Sequence, residues 1–211
     1  MSETTTPRAT YRHGDLRRTL VEAGIQLARS GGPDAVVLRE ATRRAGVAPN
    51  AAYRHFASRQ DLMQAVRSAA LSALAVAMET ELAAVPPDLS PADKARANLR
   101  AIGTGYLRFA RAEPGLFRSA FSADESRRRG PEPEKAGHSG LNPFQLLGAA
   151  LDEMTAACVL PPERRTGAEY LAWSAVHGLA MLIIDGSLHD IEATTADRLG
   201  QRVLDMVEQG L

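Results

Sequence analysis

The residues best suited to bind another molecule are concentrated in residues 38–62 (LREATRRAGVAPNAAYRHFASRQDL). This segment carries a cluster of basic side chains with an amide and a phenol among them: Arg39, Arg43, Arg44, Asn50, Tyr53, Arg54, His55 and Arg59. Guanidinium and phenol groups contact phosphates, while Asn pairs with adenine and Arg pairs with guanine. A face exposed only to water would mix in acids more freely. The cluster therefore predicts contact with nucleic acid.

Helical spacing indicates how these side chains are presented. Small or apolar residues recur on one helical face: Leu38, Ala41, Thr42 and Ala45. Gly46 follows and suits the left-handed residue that ends a helix. Pro49 and Asn50 suit the first turn of a second helix. Its inner face would consist of three residues: Ala52, Tyr53 and Phe56. The pattern predicts a helix-turn-helix, although a two-helix corner is also a common packing element in all-α proteins.

Flanking helices complete the predicted N-terminal domain. One runs from Asp15 to Ser30. Residues 1–13 before it would form a flexible arm, which is either a plain disordered terminus or an arm that lies in an adjacent minor groove. Ser58 with Asp61 resembles a capping box, so a further helix begins at Arg59. We place the DNA-binding domain at residues 1–57 and a second domain at 58–211. The helix between them contains no Pro or Gly up to residue 85, so it can transmit a tilt from one domain to the other.

Composition favours helices throughout. The chain has 211 residues, of which 45% are hydrophobic and 24% charged, with few β-branched or aromatic residues. This predicts an all-α fold. The net charge of zero hides an uneven distribution along the chain. Residues 1–60 hold ten Arg and five acids, whereas residues 61–211 hold five more acids than basic residues. The basic part coincides with the helix-turn-helix, as phosphate attraction requires.

Caps and proline pairs divide the second domain into helices. Ser90, Pro114, Asn142 and Thr194 would begin four of them, and Pro161 and Pro162 lead into the apolar run YLAWSAVHGLAMLIIDG. Residues 124–141 read as a loop. The last two helices carry more apolar surface than one core needs, which predicts a homodimer that packs these residues against their copies: Leu182, Ile183, Leu199, Val203 and Val207.

Other signals narrow the function classes. Cys158, the single cysteine, excludes an internal disulfide and lies in an apolar stretch where we expect a buried core residue. No secretory signal is present, and no stretch approaches the roughly 20 apolar residues that span a bilayer, so we expect a cytoplasmic protein.

Gly103 and Gly105, His177 and Asp185 leave an enzyme as an alternative, but no catalytic motif or metal-spaced set appears. A helical scaffold is the other alternative. We expect no cofactor and no metal.

The chain resembles the TetR family of transcriptional regulators. AGIQLARSGG, LREATRRAGV and YRHFASRQDLMQAV are similar to the family's N-terminal pattern, and Trp173, His177 and Gly178 resemble the signature of its WHG-type C-terminal domain. The resemblance implies a homodimeric repressor that binds double-stranded DNA and a small-molecule effector. It assigns Arg39, Pro49, Asn50 and Ala51 to base edges, and it assigns Tyr53, His55 and Arg59 to phosphates. Two residues depart from the family pattern. Ala48 stands where a capping Ser or Thr is usual, and Thr42 stands where a smaller Ala is usual at the crossing of the helices.

Aromatic and Met side chains in the second domain predict an apolar effector pocket. We expect these residues to line it: Tyr106, Phe109, Phe117, Phe121, Met154, Trp173, His177 and Met181. Tyr106 and His177 would be its polar groups.

Overall fold

The computed structural model describes residues 13–122 and 133–211, and in these ranges it contains helices and no strand. The all-α prediction is confirmed. The helices are α1 (His13–Gly31), α2 (Leu38–Ala45), α3 (Pro49–Ala52), α4 (Arg59–Ala83), α5 (Pro91–Ala112), α6 (Pro114–Phe121), α7 (Pro143–Ala156), α8 (Pro162–Arg165), α9 (Ala168–Ile184) and α10 (Ala193–Gly210). Short 3₁₀ turns occur at Pro33–Ala35 and Pro133–Lys135. The predicted arm at 1–13 lies almost wholly outside the described residues.

The helix-turn-helix forms around the predicted glycine. Gly46 has a φ angle of 66°, and its amide donates to the carbonyl of Arg43 at the end of α2. The second helix is shorter than the sequence suggested, because α3 makes one turn and the chain continues as a turn through His55. Ala52 and Phe56 are buried as predicted, whereas Tyr53 is 59% exposed and not part of the inner face. Ala52 and Phe56, four residues apart, fill that face, and Tyr53 points away from it.

Helix α4 begins at the predicted capping box. The Ser58 Oγ accepts from the amide of Asp61 at 3.2 Å, and the Asp61 carboxylate accepts from the amide of Ser58 at 2.9 Å. Two donors at the helix start are thereby satisfied. The helix then continues for 25 residues, to Ala83, with an apolar face buried along its length. It packs against α1 of the N-terminal domain and against α5, α6 and α7 of the second domain.

Two more predicted caps are confirmed in the second domain. The Ser90 Oγ accepts from the amide of Asp93 at 3.2 Å at the start of α5. At the start of α7, Asn142 and Gln145 exchange reciprocal bonds of 3.0 and 2.9 Å. Side-chain caps are local interactions, which is why sequence spacing suffices to locate them.

Three expectations for the second domain are wrong. Helix α10 begins at Ala193, and its N-cap, Glu192, makes no side-chain cap bond, so Thr194 is not the cap. The proline pair at 161–162 opens the one-turn helix α8, and Gly167, with φ 81°, separates α8 from α9. Cys158 is exposed with φ 56°, because α7 ends at Ala156 and the cysteine lies in the turn that follows. The predicted loop at 124–141 falls partly on residues 123–132, outside the described ranges.

Glycines set the distances at which the two domains pack. A Cβ at Gly115 of α6 would lie 2.2 Å from the carbonyl oxygen of Ala28, so α6 meets the end of α1 at backbone distance. The Arg29 and Glu113 side chains form an ion pair of 3.0 Å beside this contact. The two domains are therefore joined by direct backbone packing as well as by the continuous helix α4.

Glycines in α5 have a similar role. A Cβ at Gly105 would lie 2.7 Å from the Met78 Cα on α4, and one at Gly103 would lie 2.2 Å from the Leu204 side chain on α10. Both glycines lie inside a helix, so they do not form a phosphate-binding loop. The glycine pair thus gives no support to the enzyme alternative.

We predict that Gly115→Ala destabilises the protein by about 1–3 kcal/mol, because the added methyl group would overlap the backbone of α1 and force the two domains apart. Gly148→Ala is the matched control. Its new Cβ would meet ordinary contacts at 3.6 Å or more in the middle of α7, where Ala stabilises a helix by about 0.5–1 kcal/mol relative to Gly. Chemical denaturation measures both free energies of unfolding. Equal stability of the Gly115→Ala variant and the unmodified protein would contradict the close crossing.

Candidate functional site

The predicted DNA-binding residues form an exposed surface on the helix-turn-helix. Arg39 on α2 and Pro49, Asn50, Tyr53 and Arg54 around α3 are exposed. Ala51 and His55 are half-buried beside them. The surface therefore offers an amide, a phenol and two guanidinium groups to an incoming molecule, on a support anchored by the buried Ala52 and Phe56.

Part of the basic cluster is neutralised within the chain. Arg43 donates two hydrogen bonds to the Glu40 carboxylate, at 2.7 and 2.8 Å, and Arg44 donates a third at 3.4 Å. The hydrogen bond from Arg43 is the main reason why the pKa of Glu40 falls to about 2. The carboxyl is therefore ionised at neutral pH, and these two arginines add less positive charge to the surface than the sequence suggested.

Arg59 has a structural contact that the sequence did not predict. Its guanidinium donates to the carbonyl oxygens of Val36 at 2.8 Å and Pro33 at 2.7 Å. These bonds tie the first turn of α4 to the connection between α1 and α2. Loss of Arg59 would therefore disturb the support of α2, whatever else the exposed part of its side chain contacts.

The second domain contains a partly open cavity of about 410 Å³. This volume lies within the range of small-molecule sites. Most of its wall is apolar and comes from α4, α5, α6, α7, α9 and α10, with these residues among those lining it: Leu71, Met78, Leu99, Ile102, Tyr106, Phe121, Phe144, Leu147, Trp173, Val176, His177, Leu204 and Val207. Asn142 and three cationic side chains complete the polar part of the wall: Arg67, Arg100 and Lys135.

A hydrogen-bonded network lies in this wall. The Trp173 Nε1–H donates to the Tyr106 hydroxyl at 3.1 Å, and that hydroxyl lies 2.7 Å from the Nδ1 of His177. Because the hydroxyl accepts from Trp173, its own proton can be donated to Nδ1 of His177 when that ring nitrogen carries no proton. Burial raises the pKa of Tyr106, and the bond from Trp173 offsets only part of this. Tyr106 thus remains a neutral phenol that holds two ring systems in place.

Four of the eight residues predicted to bind an effector lie in the cavity wall. These four are Tyr106, Phe121, Trp173 and His177. The other four predicted residues are not among its lining residues: Phe109, Phe117, Met154 and Met181. Phe117 is fully buried and packs behind the wall, with its ring 5.3 Å from that of Tyr106. Apolar residues that point into the core and those that face a cavity have the same helical spacing, so the sequence did not separate them.

The sequence did not predict that residues of α4 line the cavity. Arg67, Leu71 and Met78 line the cavity from the same helix that begins beside the helix-turn-helix. A signal was present, since Arg67 is the only charged residue between Asp61 and Glu79 in an otherwise uncharged helical run. A lone charge in such a run indicates a polar contact inside the domain.

An exposed apolar face lies on the last two helices. Leu171 and Leu182 on α9 and Met206 on α10 are 63%, 45% and 58% exposed. Gly178 lies between the two leucines, and a Cβ there would meet nothing within 4 Å. Of the residues predicted to pack against a second copy, Leu182 is exposed, while Ile183, Leu199 and Val203 are half-buried against their own core. Val207 is only 8% exposed and lines the cavity, so its predicted place in a dimer interface is wrong.

Within the described parts of the chain, no helix is both long and apolar enough to cross a membrane.

Two family models match the chain. One, described as bacterial regulatory proteins of the tetR family, matches residues 20–66, which include the helix-turn-helix. The other, described as a tetracyclin repressor-like C-terminal domain, matches residues 99–207, more than half of the chain. No curated protein matches the chain.

Solved structures share the architecture over nearly the whole length. A protein with unknown function from Rhodococcus sp. RHA1 is 26% identical, with a TM-score of 0.73 over 97% of this chain and 99% of its own. A TetR variant from Acinetobacter baumannii in complex with minocycline is 18% identical, with a TM-score of 0.60 over 95% and 96%. The regulator PfmR from Thermus thermophilus is 18% identical, with a TM-score of 0.57 over 91% and 98%. The last two similarities show the fold.

We predict that Tyr106→Phe lowers the free energy of unfolding by about 1–3 kcal/mol, because it removes the hydroxyl that bonds to both the Trp173 Nε1–H and the His177 Nδ1 in a mostly apolar wall. Tyr170→Phe is the control, since that side chain is 64% exposed. Urea denaturation followed by circular dichroism compares the two variants. Equal losses in both would show that the network contributes nothing to stability.

Proposed function

The chain belongs to the TetR family of DNA-binding transcriptional regulators, and we propose that it is a repressor that binds a palindromic operator as a homodimer. A small, largely apolar effector that occupies the cavity would release it from DNA. Such a protein would act in the cytoplasm. The observation that carries the proposal is the course of α4, which starts beside the exposed α3 and then lines the cavity with Arg67, Leu71 and Met78.

The exposed residues around α3 suit recognition of a major groove. Asn50 would pair with an adenine, and Arg39 or Arg54 with a guanine, each bidentate pair contributing roughly 1–3 kcal/mol of discrimination. Tyr53 and His55 would set the register by contacts to phosphates. Arg59 can add a phosphate contact only through the part of its guanidinium that does not bind the Val36 and Pro33 carbonyls.

A second copy would cover the exposed face of α9 and α10. Leu171, Leu182 and Met206 give this face its apolar character, and Gly178 leaves room for another helix to approach closely. A two-fold axis through this face would present two reading helices, which enter successive major grooves when they are about 34 Å apart. The dimer therefore accounts both for the uncovered apolar surface and for a palindromic operator.

Release of DNA would follow from a change in that spacing. An effector shifts the equilibrium only as far as it binds one spacing more tightly than the other. Helix α4 would transmit the change in spacing, because it begins at the capping box of Ser58 and also contributes part of the cavity wall without a break. Its packing against α1, α5 and α6 determines which orientations it can take.

We predict that Asn50→Ala relaxes sequence choice at one base pair of each half-site, while Tyr53→Phe weakens binding to all sequences alike by about 1 kcal/mol. Genomic fragments retained by the purified protein, once sequenced, supply the operator for this comparison. The two variants serve as controls for each other. If no fragment is enriched, the proposed DNA-binding function fails, and an unchanged sequence preference in Asn50→Ala would remove Asn50 from base recognition.

We also predict that the double variant Leu171→Glu/Leu182→Glu is a monomer with unchanged helicity, because charges would replace the apolar centre of the proposed interface. Analytical ultracentrifugation measures the mass, and circular dichroism measures the helicity. Val37→Glu is the control, since Val37 is also exposed, at 42%, but lies on the N-terminal domain. If the double variant is still a dimer, the interface lies on another face of the protein.

A further inference from the structure

Most arginine side chains described in residues 1–60 already have an acceptor within the chain. Four lie against carboxylates and one against carbonyl oxygens, in the pairs Arg18–Glu22, Arg29–Glu113, Arg43–Glu40, Arg44–Glu40 and Arg59–Val36. Of the arginine side chains that the structure describes in this range, three have neither an ion pair nor a hydrogen bond: Arg17, Arg39 and Arg54. Arg39 and Arg54 are the candidates for pairing with guanine. Arg17 has no role assigned so far.

Arg17 is an exposed residue of α1 that an aromatic ring holds in place. Its Cζ lies 5.5 Å from the centre of the Phe56 ring, which is a cation–π distance. Phe56 is only 2% exposed, so the ring is a fixed support in the core of the domain. Because the ring carries no net charge, this contact positions the guanidinium without neutralising it. Arg17 therefore presents an uncompensated positive charge at a defined place.

The contact with Phe56 places Arg17 beside the surface proposed to read DNA. Helix α1 packs directly against α3, and the Phe56 amide donates to the Ala52 carbonyl, 2.9 Å away, in the turn that ends α3. Tyr53, a candidate phosphate contact, belongs to the same turn. The other end of α1 packs against the second domain at Ala28, about 17 Å further along the helix axis. Arg17 thus lies at the end of α1 that is remote from the second domain.

We propose that Arg17 binds a phosphate of the DNA backbone, so that the interface extends from the helix-turn-helix to α1. Phosphates recur about every 3.4 Å of axis along each strand, so a cation beside Tyr53 lies within reach of the same strand. A guanidinium can bind a phosphate through two parallel N–H donors. The inference rests on the proposed function, because it takes α3 as the reading helix.

Such a contact would orient the domain on the duplex. It would carry no sequence information, because a phosphate is the same at every base pair. Arg17 and Tyr53 belong to different elements, so contacts from both would limit rotation of the domain about α3. In a homodimer, two copies of Arg17 would each neutralise a phosphate and release condensed counterions. The contact is therefore expected to contribute to the salt dependence of binding.

The test measures how the affinity for DNA depends on salt. Two uncharged variants are compared with the unmodified protein: Arg17→Gln and Arg17→Met, the second of which keeps an apolar side chain against Phe56. Fluorescence anisotropy gives dissociation constants for an enriched genomic fragment and for a duplex of arbitrary sequence, at salt concentrations from about 0.05 to 0.5 M. The slope of log affinity against log salt should be less steep by about 1.8 in each variant, or about 0.9 for each copy of the dimer.

The loss of affinity should be equal on the two duplexes. At about 0.1 M salt both variants should bind about ten- to a hundredfold more weakly, and the difference should disappear toward about 1 M. Partial misfolding lowers the affinity by the same factor at every salt concentration, so it does not imitate a change of slope. An unchanged slope in either variant would overturn the inference.

Two further variants separate a DNA contact from other effects. Arg17→Lys keeps the charge and should keep the slope of the unmodified protein. Lys94→Gln removes an exposed positive charge at the start of α5, in the second domain, and should change neither slope nor affinity. If Arg17→Lys has the reduced slope, the charge of Arg17 does not act on DNA. If Lys94→Gln loses as much as Arg17→Gln, net charge alone explains the effect. Either result would overturn the inference.

This inference and the proposed function can fail separately. If no genomic fragment is enriched, the proposed repressor fails, and the duplex of arbitrary sequence still tests Arg17, because a phosphate contact needs no operator. Enriched fragments together with an unchanged slope in the Arg17 variants would keep the proposed function and remove α1 from the interface. Binding to no duplex at all would overturn both.

Discussion

Helix α4 is packed at close distance against two other helices, and the rest of the structure depends on this packing. Near its start, Gly24 of α1 brings its Cα so close to Val66 that a Cβ would lie 2.6 Å from that side chain. Near its end, Gly105 of α5 meets the backbone of Met78. Close-packed contacts of this kind transmit displacement instead of absorbing it. The orientation of α4 is therefore constrained near both of its ends, and Arg67, Leu71 and Met78 of the same helix line the cavity.

Local signals in the sequence were sufficient for most of the helix boundaries. Gly46, Ser58, Ser90 and Asn142 each act on residues within one turn of themselves, so their roles follow from spacing alone. Where the environment of a side chain depends on distant packing, no comparable local signal exists. Cys158 follows a helix that ends earlier than its apolar pattern suggests, and its exposure follows from that end.

The candidate sites show the same difference between features set by local spacing and features set by distant packing. The exposed residues around α3 were predicted because basic and polar side chains cluster there with few acids among them. The cavity was predicted only in part, because an apolar side chain gives the same sequence signal whether it faces the core or an empty volume. Val207 illustrates this, since its helical spacing fits the predicted dimer face, yet it lies in the wall of the cavity. The structural role of Arg59 depends on carbonyl groups more than 20 residues away, as the 23-residue separation from Val36 indicates.

The division of charge along the chain has a consequence for how the protein meets DNA. Ten arginines against five acids precede residue 61, and the remainder carries the opposite excess, so the neutral protein has a large electric dipole. In the field of a polyanion, a dipole experiences a torque even when its net charge gives no attraction. The protein would turn its helix-turn-helix toward the duplex before contact and keep its acidic domain away. Encounters in the wrong orientation would then be rare, and added salt would remove this advantage before it removed the contacts themselves.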